Sequence, residues 1–256
     1  MSSPYHAAWL VDINRKCRLR MRLDNRELHE LLTEKGVTHF HHANTVATSI
    51  TFIENDGLLS RGDVASNGLF QTPQASDEED IRFDVWGDVF IDTVDLHGLF
   101  PRQNLYGPVL FKFNLEFLLN EDLHIWVTKN NPMFWNDNLT QEDKYFQSVD
   151  ELRERWDEFD TQRKMVTIRK PQRPVLFQCL DEIVIDNPQV TISDDISLRR
   201  ESQNALYLAT EQHPQLRNLI RVRECGHCFC TQNYLKDIPV PELARLFLPR
   251  NHSYFG

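Results

Sequence analysis

Two neighbouring carboxylates, Asp181 and Glu182, interrupt an otherwise apolar run between Pro174 and Pro188. Along a strand, alternate residues face opposite sides. Val175, Phe177, Cys179, Asp181, Ile183 and Ile185 share one parity, and Gln178, Leu180, Glu182 and Val184 share the other. Both sets are mostly apolar, so the run reads as a central strand. A carboxylate on such a strand is costly to bury unless something binds it. It can stabilise positive charge that develops in a reaction, or assist deprotonation of an incoming nucleophile. Glu182 is the candidate catalytic residue. Asp181 is its rival, because a β-bulge would swap the two faces.

A second chemical segment lies some 140 positions earlier. His39, His41 and His42 fall within four positions, followed by Asn44 and Thr45. On a strand His39 and His41 share a face and His42 points away. The imidazoles can hydrogen-bond a ligand, and His39 with His41 could also chelate a metal, although no acidic or cysteine partner is close in sequence. Arg61, after the turn at Asp56 and Gly57, can grip an anionic group such as a phosphate in bidentate fashion, with Arg82 and Arg102 as weaker candidates. Tyr106 can stack on a flat ring. Arg163, Lys164, Arg169, Lys170 and Arg173 put five positive charges just ahead of the Glu182 strand. Phosphate contacts are their natural use, and balancing the acidic stretch from Glu151 to Asp160 is the alternative. Cys225, His227, Cys228 and Cys230 have zinc-like spacing at one end only. With no second cysteine pair, the expectation is a reduced, packed cluster rather than a metal centre.

The elements that must position these residues follow from pattern. Asp24, with Glu27 three residues on, predicts a helix start ahead of Leu28, Leu31 and Leu32, and Gly36 its end. Val37 to His42 reads as a strand, and Ala43 to Asn55 as a helix with Val46, Ile50 and Ile53 on one side. Further strands are predicted at 85–94, 108–113 and 125–128, with a charged helix at 150–160 and a basic segment at 163–173. One or two helices follow in 194–219, and Pro239 opens a last one. Short strands interleaved with helices, without a regular βαβ rhythm, favour an α+β fold. The expected organisation is a basic N-terminal arm with the start of the first helix (1–30), a core (31–193), and a C-terminal helical, cysteine-containing extension packed on it (194–256).

The chain has 256 residues, 41% of them hydrophobic, enough for a sizeable core. Its net charge of -10 argues against a general nucleic-acid coat but leaves room for a local basic groove. No apolar run is long enough for a membrane span, and residues 1–6 lack a signal core, so a cytoplasmic protein is expected. Five cysteines, three of them clustered, suit a reducing compartment.

Taken together, the His39 segment, the helix and the stretch from Gly57 to Arg61, and the distant Glu182 strand resemble the ADP-ribosyltransferase superfamily. Within it they are most similar to the DarT-like enzymes that modify nucleic acid. The resemblance covers about residues 31–190. It implies split sheets around an NAD cleft with peripheral helices. It also implies Glu182 as the catalytic carboxylate, and His39, His41, Asn44, Arg61 and Tyr106 at the NAD co-substrate. Arg163, Lys164, Arg169, Lys170 and Arg173 would meet a DNA or RNA acceptor. It further implies a toxin of a toxin–antitoxin or phage-defence system, with an antitoxin protein as partner. His41 stands where such sequences carry Thr. Leu180 stands where arginine-directed relatives carry Glu or Gln, which points away from a protein-arginine acceptor. Two readings stay open beside this one: a non-catalytic nucleotide-sensing or protein-binding module on the same fold, and an RNA 2′-phosphotransferase.

Overall fold

The computed structural model describes residues 21–99, 105–159, 164–175, 177–193, 195–223, 234 and 236–256. Most of the basic arm, Arg102, Arg163 and the cluster of Cys225, His227, Cys228 and Cys230 lie outside them.

Helix α1 (Asn25–Glu34) begins where expected. The Asp24 carboxylate accepts hydrogen bonds from the Arg26 and Glu27 amides, satisfying two donors the helix start would otherwise leave open. Its buried side, Leu28, Leu31 and Leu32, joins the main core. Strand β1 (His39–Asn44) leads into α2 (Val46–Glu54), capped by the Thr45 hydroxyl. Next come α3 (Arg61–Ser66), α4 (Asp77–Arg82), β2 (Val89–Ile91), β3 (Val109–Asn114), β4 (Ile125–Val127), β5 (Val166–Ile168) and β6 (Leu180–Ile185). The chain ends with a two-residue hairpin, β7 (Thr191–Ile192) and β8 (Ile196–Ser197), then α5 (Leu198–Ala209), β9 (Ile220–Val222) and α6 (Val240–Phe247).

The main sheet has the order β1-β3-β6-β9. Its first two pairings are antiparallel, and β9 joins β6 in parallel. A second, antiparallel sheet runs β2-β5-β4 and is joined to the first by a bridge between His41 and Asp92. This is an α+β arrangement. One face of the main sheet presents Phe40, Phe111, Phe113, Ile183 and Ile185 to the core, all fully buried. α2 covers this face, with Phe52 edge-on to Phe111. Full burial of each such side chain contributes about 1.5–3 kcal/mol.

Several expectations change on contact with the structure. An unpredicted strand, β5, forms inside the basic segment 163–173 and is the central strand of the second sheet. The stretch after residue 194 does more than pack on the core, since β9 adds a strand to the main sheet. The run from Pro174 is not strand throughout. It makes a bridge from Val175 to Leu58 and a single turn at Phe177–Cys179 before β6 begins at Leu180. That bridge is how the two chemical segments first meet. A Cβ on Gly57 would lie 2.8 Å from Pro174 Cβ and 2.9 Å from Val175 N, so only glycine permits the approach.

Candidate functional site

The polar face of the main sheet is built by register. On β1–β3, His39 stands opposite Asn114 and His41 opposite Lys112. On β3–β6, Lys112 stands opposite Glu182. His41, Lys112 and Glu182 therefore form one row across three strands on the side away from the core. Adjacent strands lie about 4.8 Å apart, so the row spans roughly 10 Å.

The β3–β6 register shifts between Lys112 and Phe113, and Phe113 pairs with Leu180. This bulge decides how the two carboxylates are presented. With strict alternation Asp181 and Glu182 would face opposite sides. Instead both reach residues of the same face. Lys112 Nζ donates to Glu182 Oε2 at 3.1 Å. Asn114 Nδ2 donates to Asp181 Oδ1 at 3.1 Å, and His39 Nε2 lies 3.3 Å from Asp181 Oδ2. The sequence reading offered Glu182 and Asp181 as alternatives; the bulge presents them side by side, each with its own cationic or imidazole partner.

Beside β1 lies a cavity of about 470 Å³, lined by His41, Asn44, Arg61 and Tyr106 among others. These are four of the five residues expected at a cofactor. His39, the fifth, is not part of the lining, and neither is Glu182. Glu182 sits two strands from β1, along the row just described. Burial pushes the His41 imidazole down to about 4, outweighing the pull of Asp95 and a backbone hydrogen bond with Asp92; His39 and Lys112 push in the same direction. His42 turns to the core side, its Nδ1 2.8 Å from the Phe90 carbonyl, and burial lowers its pKa as well. Asn44 is buried, and its Oδ1 accepts from the Thr45 amide. Arg61 is the first residue of α3. Its guanidinium donates to Asp77 at 2.7 Å and to the Thr72 carbonyl at 3.2 Å, and lies over the Trp86 ring.

Neither a protein-family profile nor a curated protein sequence matches the chain. Among solved structures it is similar to "Thermus sp. 2.9 DarT in complex with ADP-ribosylated ssDNA", at a TM-score of 0.48 and 9% sequence identity, over 73% of this chain and 95% of that one.

The four described basic residues expected at an acceptor do not all stand as open charges. Lys164 is buried, its ammonium 4.8 Å from the centre of the Trp156 ring. Arg169 is ion-paired with Asp88 and stacks on Trp126. Lys170 donates to Asp84 at 2.6 Å. Asp84 and Asp88 flank the entry to β2, so the second sheet uses these charges to fasten β5 to its neighbour. Arg173 is exposed. Together with Arg22, Arg169 and Lys170 it lines a larger hollow of about 1320 Å³, whose lining also takes in Gln178 and Cys179.

Sequence reading missed the buried network at the far end of β6. Asp186 accepts from Arg223 Nε at 2.6 Å and from the Tyr234 hydroxyl at 3.1 Å, with His97 Nδ1 2.9 Å away. Arg223 also donates to Asp95 at 2.6 Å. Burial pushes Asp95 up, but the Arg223 charge and hydrogen bond, with His41, hold it below the usual carboxylate range. The network thus links the end of the Glu182 strand to the surroundings of His41. Its members are scattered from 95 to 234, and no local pattern marks them.

No helix among the described residues is long and apolar enough to cross a membrane, and no group of three or more potential metal ligands occurs among them.

Proposed function

We propose that this protein is an NAD-dependent ADP-ribosyltransferase acting on a nucleic-acid base, with Glu182 as the catalytic carboxylate. The observation that carries the reading is the row His41–Lys112–Glu182, which runs from the cavity to an accessible carboxylate on one sheet face. The dinucleotide would occupy the cavity, against Asn44, Tyr106 and Arg61, with its nicotinamide riboside reaching along the row. His41, kept neutral by burial, would hydrogen-bond it without adding charge. When the nicotinamide–ribose bond breaks, positive charge builds on the ribose, and Glu182 would stabilise it. The resemblance of the His39 and Glu182 segments supports the same assignment, and from it alone come the toxin role and an antitoxin partner. Arg173 and Arg22, in the larger hollow, would meet acceptor phosphates.

An RNA 2′-phosphotransferase needs several basic groups converging on one phosphate. Arg61, Arg169 and Lys170 are each engaged by an aspartate, which disfavours that activity. The ion pair of Lys112 with Glu182 favours a sensor without turnover.

The test is incubation with labelled NAD and single-stranded DNA, RNA or protein. Label on a nucleic acid, lost in Glu182→Gln, is the expected result. NAD binding without turnover on any acceptor would establish the sensor instead.

A further inference from the structure

Resting on the transferase reading, we infer that His39, held by Asp181, is the general base for the acceptor, a role separate from that of Glu182. Four observations support this division of labour. His39 lies outside the cavity lining that takes in His41, Asn44, Arg61 and Tyr106, one position along the same sheet face from the row of His41, Lys112 and Glu182. Its ring is partly exposed, with 27% of the side chain accessible, as contact with a macromolecular acceptor requires. Its Nε2 lies 3.3 Å from Asp181 Oδ2, a neighbour that favours the ring proton on Nε2 and leaves Nδ1 as the acceptor nitrogen. Nδ1 now lies 2.9 Å from the Thr38 hydroxyl, which can donate to it. Asp181 is in turn fixed by Asn114, and the hollow bearing Arg173 is also lined by Cys179, two residues before Asp181 in sequence. An imidazole oriented by a carboxylate is suited to proton abstraction. Glu182, engaged by Lys112, is suited to meeting positive charge on the ribose.

The transfer balances as follows. The C1′–N bond of NAD breaks, and nicotinamide leaves with the electron pair. The acceptor's oxygen or nitrogen forms the new bond to C1′. Its proton passes to His39 Nδ1, directly or through the Thr38 hydroxyl, and then to solvent. In this scheme Asp181 is a positioning residue.

The experiment is steady-state transfer from labelled NAD to single-stranded DNA or RNA by wild type, His39→Gly, Asp181→Asn and Asp181→Glu. Proton transfer of this kind accounts for roughly 10²–10⁴-fold in rate. The expected result for His39→Gly is a kcat lower by that order, with KM for NAD within about threefold, and recovery of kcat on adding free imidazole. Asp181→Asn should lose part of the rate and Asp181→Glu should restore it. In ¹⁵N spectra, the His39 tautomer should shift in Asp181→Asn, a readout that needs no turnover. A raised KM for NAD with kcat retained would return His39 to the cofactor and overturn the inference. So would the absence of imidazole rescue in a folded variant, or an unchanged tautomer in Asp181→Asn. If wild type neither cleaves NAD nor labels any acceptor, the transferase reading falls and takes this one with it. An active wild type with any of the other adverse results sinks the base assignment alone.

Discussion

Lys112 Nζ lies 3.1 Å from Glu182 Oε2, and the two residues are direct partners across the β3–β6 ladder. Lys112 also stands opposite His41 on the other side of β3. One lysine therefore occupies the midpoint of the row that joins the cavity to the candidate catalytic carboxylate. Both side chains are partly exposed, and ion pairs of that kind contribute about 0–1 kcal/mol to folding. Its value must lie in placement. Lys112→Met should change unfolding free energy by no more than about 1 kcal/mol, yet reduce transfer from NAD well beyond that, while Lys112→Arg keeps most of it. Parallel urea titrations and turnover assays would check this. Equal turnover in Lys112→Met and wild type would remove Lys112 from the site.

The network around Asp186 should behave in the opposite way. Asp186 and Arg223 are both sequestered, with 3% and 17% of their side chains accessible. Removing one partner of a buried pair costs up to about 3–5 kcal/mol, and less where a second partner stays, as Asp95 does for Arg223. Asp186→Ala should lose stability on that scale in denaturant unfolding, because Arg223, His97 and Tyr234 all lose a hydrogen-bond acceptor together. A loss below about 1 kcal/mol would show that water or Asp95 replaces it.

These two sites mark where sequence reading succeeds and where it stops. The Asp24 cap, the β1 parity of His39 against His42, and the central place of β6 were legible because each depends on neighbours within a few positions. The bulge was anticipated only as an alternative: it arises from the pairing of β6 with β3, some 70 positions away, which no local pattern reports. β5 hid inside a basic segment because three residues, Val166 to Ile168, are too short to show periodicity beside Arg169 and Lys170. The left-handed turn after α2 falls at Asp56 rather than Gly57. Gly57 is needed instead for its contact with Pro174, a reason that exists only in three dimensions.

Acid should act on the fold through His41. An ordinary imidazole titrates near 6.5, and burial brings His41 down to about 4. Between these values the unfolded chain binds a proton that the folded chain refuses, so this residue makes stability fall as pH drops from about 6.5 towards 4. His42 works in the same direction. Asp80, raised to about 6 by burial, works in the other, because the folded chain holds its proton more tightly. The diagnostic quantity is thus a difference. Relative to wild type, His41→Gln should lose less stability between pH 7 and pH 4.5. Urea midpoints at the two pH values would report it, and identical losses would show that His41 is protonated as readily in the fold as in the open chain.

Gly107 offers a steric test of the cavity wall. Its φ of +145° lies outside the range that residues with a side chain readily adopt. A Cβ built there would fall 2.0 Å from the Asn44 carbonyl carbon and 2.2 Å from the Thr45 nitrogen, both backbone atoms that cannot rotate away. Gly107→Ala must therefore displace the β1–α2 junction or the strand start at Val109. Either movement shifts Asn44 or Tyr106, which line the cavity from opposite sides of this contact. We expect a stability loss of at least about 2 kcal/mol, typical of overpacking with backbone strain, together with NAD affinity weakened more than tenfold. Gly68→Ala is the control: Gly68 also has a positive φ, but its Cβ would meet nothing within 4 Å, so it should carry the strain without the collision. Calorimetric titration of NAD against both folded variants separates the two effects. If Gly107→Ala binds NAD as tightly as Gly68→Ala, the hollow beside Asn44 does not hold the dinucleotide.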